Sequence, residues 1–172
     1  MRCRQNWSPE CEKALNNQIQ VEYQASIHYH VLASYFYRDD VGLRELADYF
    51  NQASLEERTH ADKFMRYQTM RGGIVELQTI PVPTLNLEKP QHVKQSLELA
   101  LQLERSVNEK LLELHQIASS NNDPQFSDYL EGEFLKEQVD AISEISQKLS
   151  QLDLIGDDGF GILEFSKTFK SE

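Results

Sequence analysis

Residues 72–90 read GGIVELQTIPVPTLNLEKP, and this stretch decides how the chain folds. It holds two adjacent glycines and three prolines, and on both sides of it apolar residues recur at the three- and four-residue steps of a helix. A connection this long without secondary structure of its own is uncommon in a compact domain. It is long enough to carry the chain back along the length of a helical bundle, so we predict a crossover loop between two long helices.

Start signals divide the rest of the chain into helices of matched length. Ser8 before Pro9 and Asp123 before Pro124 each combine an N-cap with a proline in the first turn. The predicted helices cover about residues 9–38, 41–70, 91–119, 124–152 and 159–169, with the crossover at about 72–90. The four long helices each span about 40 Å at 1.5 Å per residue. We therefore predict one domain over 1–172, an all-α four-helix bundle with one long crossover between helices 2 and 3 and a short C-terminal fifth helix.

The composition excludes several classes of protein. The 172 residues carry a formal net charge of −11. Such a surface repels phosphate backbones and anionic lipids, so we expect no nucleic-acid partner and no membrane partner.

The N-terminal residues lack the apolar core of a signal peptide, and we expect a cytoplasmic protein. Two cysteines, Cys3 and Cys11, are too few for a disulfide framework and are expected to be free thiols.

The apolar stripe of each long helix is interrupted by polar side chains near its midpoint. The interruptions are Glu22, Glu57 with His60, Glu104 and Gln138. Because each lies close to the middle of its helix, they should meet at the bundle centre whichever way the helices run. Unpaired carboxylates there would cost several kcal/mol each, and no lysine or arginine lies on the stripes to neutralise them.

A divalent cation would compensate the charge of these carboxylates. Within EERTH, residues 56–60, Glu57 and His60 lie three residues apart on one side of a helical turn and predict a chelating pair. A carboxylate-rich set with one histidine and no cysteine favours iron or manganese over structural zinc. Any one of these residues alone is more often a hydrogen-bonded core residue, and Gln138 fits that alternative best because an amide tolerates burial. Their coincidence at one height favours the metal site.

Tyr29 lies two turns from Glu22 on the same face of its helix. Its phenol could donate an electron or a hydrogen bond to a pair of irons, or it could be a core tyrosine with a satisfied hydroxyl. The other histidines have no carboxylate three residues before them, and we predict no metal role for them. They are His28, His30, His92 and His115.

Long ordered segments along nearly the whole chain resemble one known family. They are RQNWSPE, NNQIQVEYQAS, SYFYRDDV, EERTHADKFM, QTMRGG, LELALQLERSVNEKLLELH, NNDPQFSDYLE and LKEQV. Together they resemble an animal ferritin of the heavy, iron-oxidising type. The resemblance implies a ferritin-like bundle and a ferroxidase that stores and detoxifies iron. It would oxidise Fe(II) to Fe(III) with O2 at a di-iron centre within the subunit and deposit ferric mineral inside a hollow shell of twenty-four subunits, with co-assembly with other ferritin subunits also implied.

The resemblance also implies a catalytic role for each polar residue at the bundle centre. Glu22 and His60 would bind one iron, Glu57 would bridge two irons, Glu104 would bind the second, Gln138 would lie beside it, and Tyr29 matches the family's tyrosine near the centre. Only one complete Glu-x-x-His is present, whereas many di-iron proteins of this fold have two. An asymmetric pair with a weaker second site fits two irons per subunit that pass through to storage.

Two acidic residues in SDYLEGEF match positions that line the family's three-fold ion-entry channels. They are Asp128 and Glu131, with Glu133 nearby. On the residues alone, the equally good alternative is that acidic side chains are favoured by the helix dipole in the first turns of helix four.

The chain departs from the family at two places. The cavity-facing acidic group corresponds to Glu56, Thr59 and Asp62, so Glu56 and Asp62 are predicted to assist iron transit and nucleation. Because Thr59 replaces a carboxylate, we expect nucleation to be weaker than oxidation. Ser166 and Lys170 stand where an apolar or histidine-lined four-fold pore would be expected, which changes the predicted character of that pore.

Two other functions are compatible with an acidic helical protein. A shell subunit of the light ferritin type would nucleate mineral without a working oxidation site, and the intact set of Glu22, Glu57, His60 and Glu104 argues against it. A metal-free interaction protein such as a cytokine-like bundle would need two long crossovers and a secretory context, and the sequence shows neither.

Overall fold

The computed structural model describes residues 2–89, 92–156 and 158–169. Its helices are α1 (Pro9–Phe36), α2 (Arg44–Met70), α3 (His92–Ser120), α4 (Pro124–Leu130), α5 (Lys136–Ile155) and α6 (Gly159–Ser166). A π-helical turn, Glu131–Leu135, continues α4 into α5, and a 3-10 turn, Lys167–Phe169, follows α6. The described ranges contain no strand. The predicted fold class is confirmed: four long helical segments form the bundle, and a short helix follows them.

The crossover between α2 and α3 is held against α1 by polar side chains. Asn16 donates from Nδ2 to the carbonyl of Ile74 at 2.9 Å and accepts from the amide of Glu76 at 3.1 Å. The Glu12 carboxylate accepts from the amide of Ile74 at 2.7 Å. These bonds satisfy backbone groups of a segment that has no ladder partners of its own. They explain how an irregular connection can lie on the bundle.

The start of α2 and the interior of the fourth long segment differ from the pattern-based expectation. α2 begins at Arg44 rather than at about residue 41, because Gly42 adopts a φ of 70°, a left-handed conformation that ends the turn after α1. The fourth long segment contains the π-helical turn, which inserts an extra residue into the helical repeat. Apolar periodicity gives no signal for either feature. At the segment starts, the Ser8 and Asp123 side chains do cap α1 and α4, as predicted.

The apolar core consists of two clusters separated by a polar layer. Phe36, Phe50 and Leu97 belong to one cluster, and Trp7 and Phe126 belong to the other. Each long helical segment contributes side chains to both clusters. On the second, third and fourth segments the predicted site residues fall between the two contributions, whereas on α1 Tyr29 belongs to the first cluster. The buried polar side chains of this layer are Glu22, Glu57, Glu104 and Gln138.

The remaining features of the fold concern its surface and its C-terminal end. None of the described helices is long and apolar enough to cross a membrane. Both cysteines are free thiols, Cys3 exposed and Cys11 buried. In α6 the buried Ser166 hydroxyl donates to the carbonyl of Leu163 at 2.8 Å, within its own helix. Lys170, the other predicted pore residue, lies outside the described residues.

Candidate metal centre

Three predicted ligands meet where α1 packs against α2. Glu22, Glu57 and His60 offer ligand atoms that all lie within 4.8 Å of one another. The Nδ1 atom of His60 lies 3.4 Å from Oε2 of Glu57 and 4.0 Å from Oε2 of Glu22. Both carboxylates are buried, and the imidazole is partly buried. The i, i+3 pair on α2 and the single glutamate on α1 therefore form one compact group.

One oxygen in this group is unsatisfied. Oε1 of Glu22 accepts a hydrogen bond from Nε2 of Gln18 at 2.7 Å. Oε2 of Glu22 is the one fully buried side-chain oxygen or nitrogen, among the described residues, that has no hydrogen-bond partner. A buried polar atom without a partner costs about 1–3 kcal/mol, and more when the group is charged. Two carboxylates and an imidazole nitrogen are a donor set that fits Fe(II), and this orphaned oxygen is one of its donors.

Glu104 on α3 is in a different state, because both of its carboxylate oxygens have partners. The Tyr29 hydroxyl donates to Oε1 of Glu104. Nε2 of Gln138 donates to Oε2 and, at 2.9 Å, to the main-chain carbonyl of the same residue. Glu104 is thus brought into the polar layer but is held there by α1 and α5. It does not join the compact group of Glu22, Glu57 and His60.

Burial raises the pKa of every carboxyl group in the layer. It raises the pKa of Glu57 to about 8, with repulsion from Glu104 adding to the effect. It raises the pKa of Glu22 well above the ordinary value, followed in size by repulsion from Glu57 and by a hydrogen bond with Glu57 that favours the protonated form of Glu22, while the bond from Gln18 and the nearby His60 oppose these effects. It also raises the pKa of Glu104, against the bonds from Tyr29 and Gln138. The centre without metal therefore retains protons near neutral pH, and a cation would displace them.

Tyr29 is a hydrogen-bond donor at neutral pH. Burial raises the pKa of its phenol well above the ordinary value, and the neighbouring Glu104 carboxylate raises it further. Its ring stacks on Phe50 with centroids 6.2 Å apart. The structure therefore shows the second alternative, a core tyrosine with a satisfied hydroxyl, and the acceptor of that hydroxyl is the predicted metal ligand Glu104. A role of Tyr29 towards a pair of irons stays a prediction.

Two residues of the centre were missed by sequence reasoning. Gln18 lies one turn before Glu22 on α1, beside the apolar stripe that runs through Ile19, so apolar periodicity gives no signal for it. Glu137 on α5 has Oε1 3.4 Å from Nε2 of His60, on the side of the ring away from Glu57. Glu137 is half exposed and lies off the apolar stripe, and its only signal was its position next to Gln138.

The predicted channel residues lie apart from this centre, on the surface. Asp128 in α4 and Glu131 in the π-helical turn are both exposed and line one shallow depression. Oε1 of Glu131 lies 2.6 Å from Nε2 of His115, a histidine for which no role was predicted. The first turn of α4 contains no acidic residue, so the helix dipole accounts poorly for these two positions. Their neighbour Glu133 pairs with Lys63 at 3.3 Å.

The predicted transit residues lie on the exposed side of α2. Glu56 and Asp62 are both exposed, and Asp62 accepts a long hydrogen bond of 3.5 Å from the Tyr23 hydroxyl. Thr59 donates to the carbonyl of Leu55 at 2.9 Å, so its hydroxyl serves its own helix. None of these three belongs to the compact group around Glu22.

A family model described as "Ferritin-like domain" matches residues 12–155. This chain belongs to the ferritin family. It is 49% identical over 169 residues to Ferritin-4, chloroplastic, of Arabidopsis thaliana, a match that covers 95% of the chain and 64% of that ferritin. It is 48% identical over 167 residues to Ferritin, chloroplastic, of Malus baccata var. xiaojinensis, with 95% and 66% covered. Ferritin-3, chloroplastic, of Glycine max is 46% identical over 171 residues, with 98% and 66% covered. The chain thus spans slightly less than two thirds of these relatives' lengths.

These relatives confirm the predicted family and correct one expectation. All three are named chloroplastic ferritins, so the prediction of a cytoplasmic protein is wrong, and the names point to a plastid instead. The prediction rested on the lack of a secretory pattern, which does not separate cytoplasm from plastid. The relatives support membership of the ferritin family in general, and they do not support the animal heavy type in particular.

Proposed function

We propose that this ferritin stores and detoxifies iron, and that it is a ferroxidase with Fe(II) and O2 as its substrates. The observation that carries the proposal is the orphaned Oε2 of Glu22, buried beside Glu57 and His60. Storage alone requires a shell and acidic surfaces, whereas buried carboxylates beside an imidazole are costly as ions unless a proton or a cation binds among them. This feature favours the oxidising type of subunit over the light type.

The two irons would bind at unequal sites. Glu22, Glu57 and His60 hold the first Fe(II), and Glu104, with Gln138 beside it, contributes to the second, Glu57 being shared. Two Fe(II) would each give up one electron, and O2 would take both electrons with two protons to form H2O2. The carboxylates supply negative charge that stabilises the ferric product. Because their raised pKa values keep protons in the empty centre, each binding event releases protons.

Tyr29 and Gln138 would control the second site. Their hydrogen bonds occupy both oxygens of Glu104, so a second cation has to compete with them. The first site has no such competitor at Oε2 of Glu22. A preformed first site and an obstructed second site suit iron in transit, which is bound, oxidised and passed on to a stored mineral.

The wider assembly follows from the family and is part of the same proposal. We infer a hollow cage of twenty-four subunits, with which other ferritin subunits could co-assemble. Large exposed apolar side chains on the crossover and around α6 support burial between subunits. They are Ile74, Leu77, Val82, Leu154, Phe160 and Leu163.

Iron would enter the cage along acidic residues and leave the centre along others. Asp128 and Glu131 would line the entry channels, where Glu131 would have to exchange His115 for a cation. Glu56 and Asp62 would carry iron towards the cavity, and Thr59 would contribute no charge. Nucleation is therefore expected to be slower than oxidation.

Aerobic oxidation of a small Fe(II) load, followed by ferric absorbance, tests the proposal. The wild type is compared with Glu57→Ala/His60→Ala, after both are shown to assemble. Asp48→Ala is the matched control, since this exposed carboxylate pairs with Tyr37 away from the centre. We expect oxidation in the double variant to fall to the protein-free rate and the control to retain full activity. Equal rates in all three proteins would leave a storage shell without an oxidation centre.

A further inference from the structure

Gln18 is a buried amide that contacts a predicted metal ligand and does not belong to the predicted ligand set. It lies four residues before Glu22 on α1, so the two side chains occupy the same face of the helix. Only 3% of Gln18 is exposed. Nε2 of Gln18 donates to Oε1 of Glu22 at 2.7 Å, a bond between two buried groups of one helix.

This bond makes the two oxygens of Glu22 unequal. Oε1 is occupied by a neutral donor, while Oε2 is left without a partner and is the oxygen that lies 4.0 Å from Nδ1 of His60. A carboxylate with a free side chain can turn either oxygen, or both, towards a cation. The amide of Gln18 removes that freedom because turning Glu22 would break a buried hydrogen bond and leave the donor unsatisfied.

The contrast with Glu104 indicates what such a bond does. At Glu104, donors take both oxygens, and the residue is absent from the compact ligand group. At Glu22 a single donor takes one oxygen, and the other faces the group. A hydrogen-bond partner of a ligating carboxylate orients it and sets how many of its oxygens remain for a metal.

We propose that Gln18 is a positioning residue for the first iron site, fixing Glu22 so that only Oε2 is presented to the cation. The inference rests on the proposed function, since it concerns how that site is built. Gln18 itself does not touch the metal. With Glu22 bound through one oxygen, more positions around the cation stay open for the second substrate, O2.

Anaerobic titration with Co(II), followed by its visible absorption, tests this role without any oxidation step. Co(II) takes the same nitrogen and oxygen donors as Fe(II), and its spectrum reports the number of ligands around it. The test variant is Gln18→Met, which keeps the length of the side chain and removes the donor. The matched control is Gln68→Met, because Gln68 is also fully buried and hydrogen-bonded, to Trp7 and Glu12, but lies at another level of the bundle.

Loss of a group that hydrogen-bonds to a metal ligand typically lowers the affinity for the metal about 10- to 100-fold. We expect the Co(II) affinity of Gln18→Met to fall by an amount in this range. The visible absorption per bound Co(II) should also be weaker in this variant. A released Glu22 can bind through both oxygens, which raises the coordination number of the ion. Gln68→Met should lose thermal stability while keeping wild-type affinity and spectrum. Should Gln18→Met not assemble, Gln18→Ala is measured in the same way.

The outcomes separate the inference from the proposed function. If the wild type binds Co(II) no better than Glu57→Ala/His60→Ala, the proposed centre itself is wrong. If the wild type binds Co(II) well and Gln18→Met matches it within twofold with an unchanged spectrum, the centre stands and the role of Gln18 is overturned. If Gln18→Met and Gln68→Met lose affinity equally, Gln18 is merely structural and the inference fails as well.

Discussion

The two halves of the predicted centre contain similar residues but differ in how their carboxylates are satisfied. On the α1–α2 side, Glu22 has one bonded oxygen and one orphaned oxygen beside His60. On the α3–α5 side, Glu104 is bonded at both oxygens by Tyr29 and Gln138. We call the first half open, because it leaves one buried oxygen without a hydrogen-bond partner, and the second half closed, because both oxygens of its glutamate have partners. Under the proposed function, the open half binds the first cation directly, and the closed half has to give up a hydrogen bond to bind the second.

The largest change in Co(II) affinity is expected when the open half loses one of its ligands. His60→Ala removes the only nitrogen ligand from the compact group, and the first Co(II) affinity should fall more than about 100-fold, beyond the loss typical of an outer partner. Gln138→Ala, on the closed half, should change the first affinity by less than about threefold. Anaerobic titration of both variants makes the comparison. Similar losses in the two would mean that the halves are not distinct.

Protonation should affect the open half almost as strongly. Because the pKa of Glu57 is raised to about 8, a cation that binds at neutral pH has to displace a proton there. Displacement of this one proton should therefore raise the affinity for Co(II) by up to about tenfold per pH unit below pH 8, and its contribution should level off above that pH. In Glu57→Gln the slope should be smaller, although Glu22 retains part of it. Titrations between pH 6 and pH 9 give the slope, and equal slopes in both proteins would contradict this origin.

The same raised pKa predicts the pH dependence of stability in the metal-free protein. A carboxyl group whose pKa is higher in the folded state stabilises that state at low pH, and the contribution is lost as pH rises through the folded pKa. For Glu57 the ordinary value is 4.5 and the folded value is about 8. The Tm of the metal-free protein should fall between about pH 5 and pH 8 and should fall less in Glu57→Gln. Excess Co(II) should reverse the fall, because the cation replaces the lost proton.

A smaller effect should follow from opening the closed half. Tyr29→Phe removes the donor to Oε1 of Glu104 and leaves the ring packed on Phe50. Hydrogen bonds to charged groups contribute about 1.5 kcal/mol at the lower end of their range, which corresponds to roughly tenfold in affinity, so the second Co(II) should bind about that much more tightly once this competitor is gone. The first Co(II) should bind as in the wild type. Tighter binding at both sites, or weaker binding at the second, would show that Tyr29 does not obstruct Glu104.

The sequence predicted which polar side chains meet in the layer at the bundle centre, but not the hydrogen bonds that their carboxylates make. Glu57 and His60 were found because helical spacing alone places residues i and i+3 together, and their midpoint position brought Glu22 and Glu104 to the same layer. The direction in which each carboxylate turns depends on donors from other helices, which periodicity does not describe. Gln18 was missed for this reason. The crossover was predictable for the opposite reason, because prolines break a helix and glycines disfavour one through local backbone effects alone.

The smallest effect is expected at the outer edge of the open half. Glu137 lies 3.4 Å from Nε2 of His60, and half of its side chain is exposed to solvent. Exposed pairs contribute roughly 0–1 kcal/mol, so Glu137→Ala should lower the first Co(II) affinity by less than about fivefold. Nδ1 of His60, which faces Glu57, should still bind the first cation in this variant. Raising the salt concentration should remove most of the difference from the wild type, because solvent ions screen an exposed pair. A larger, salt-independent loss would place Glu137 among the ligands and extend the open half to α5.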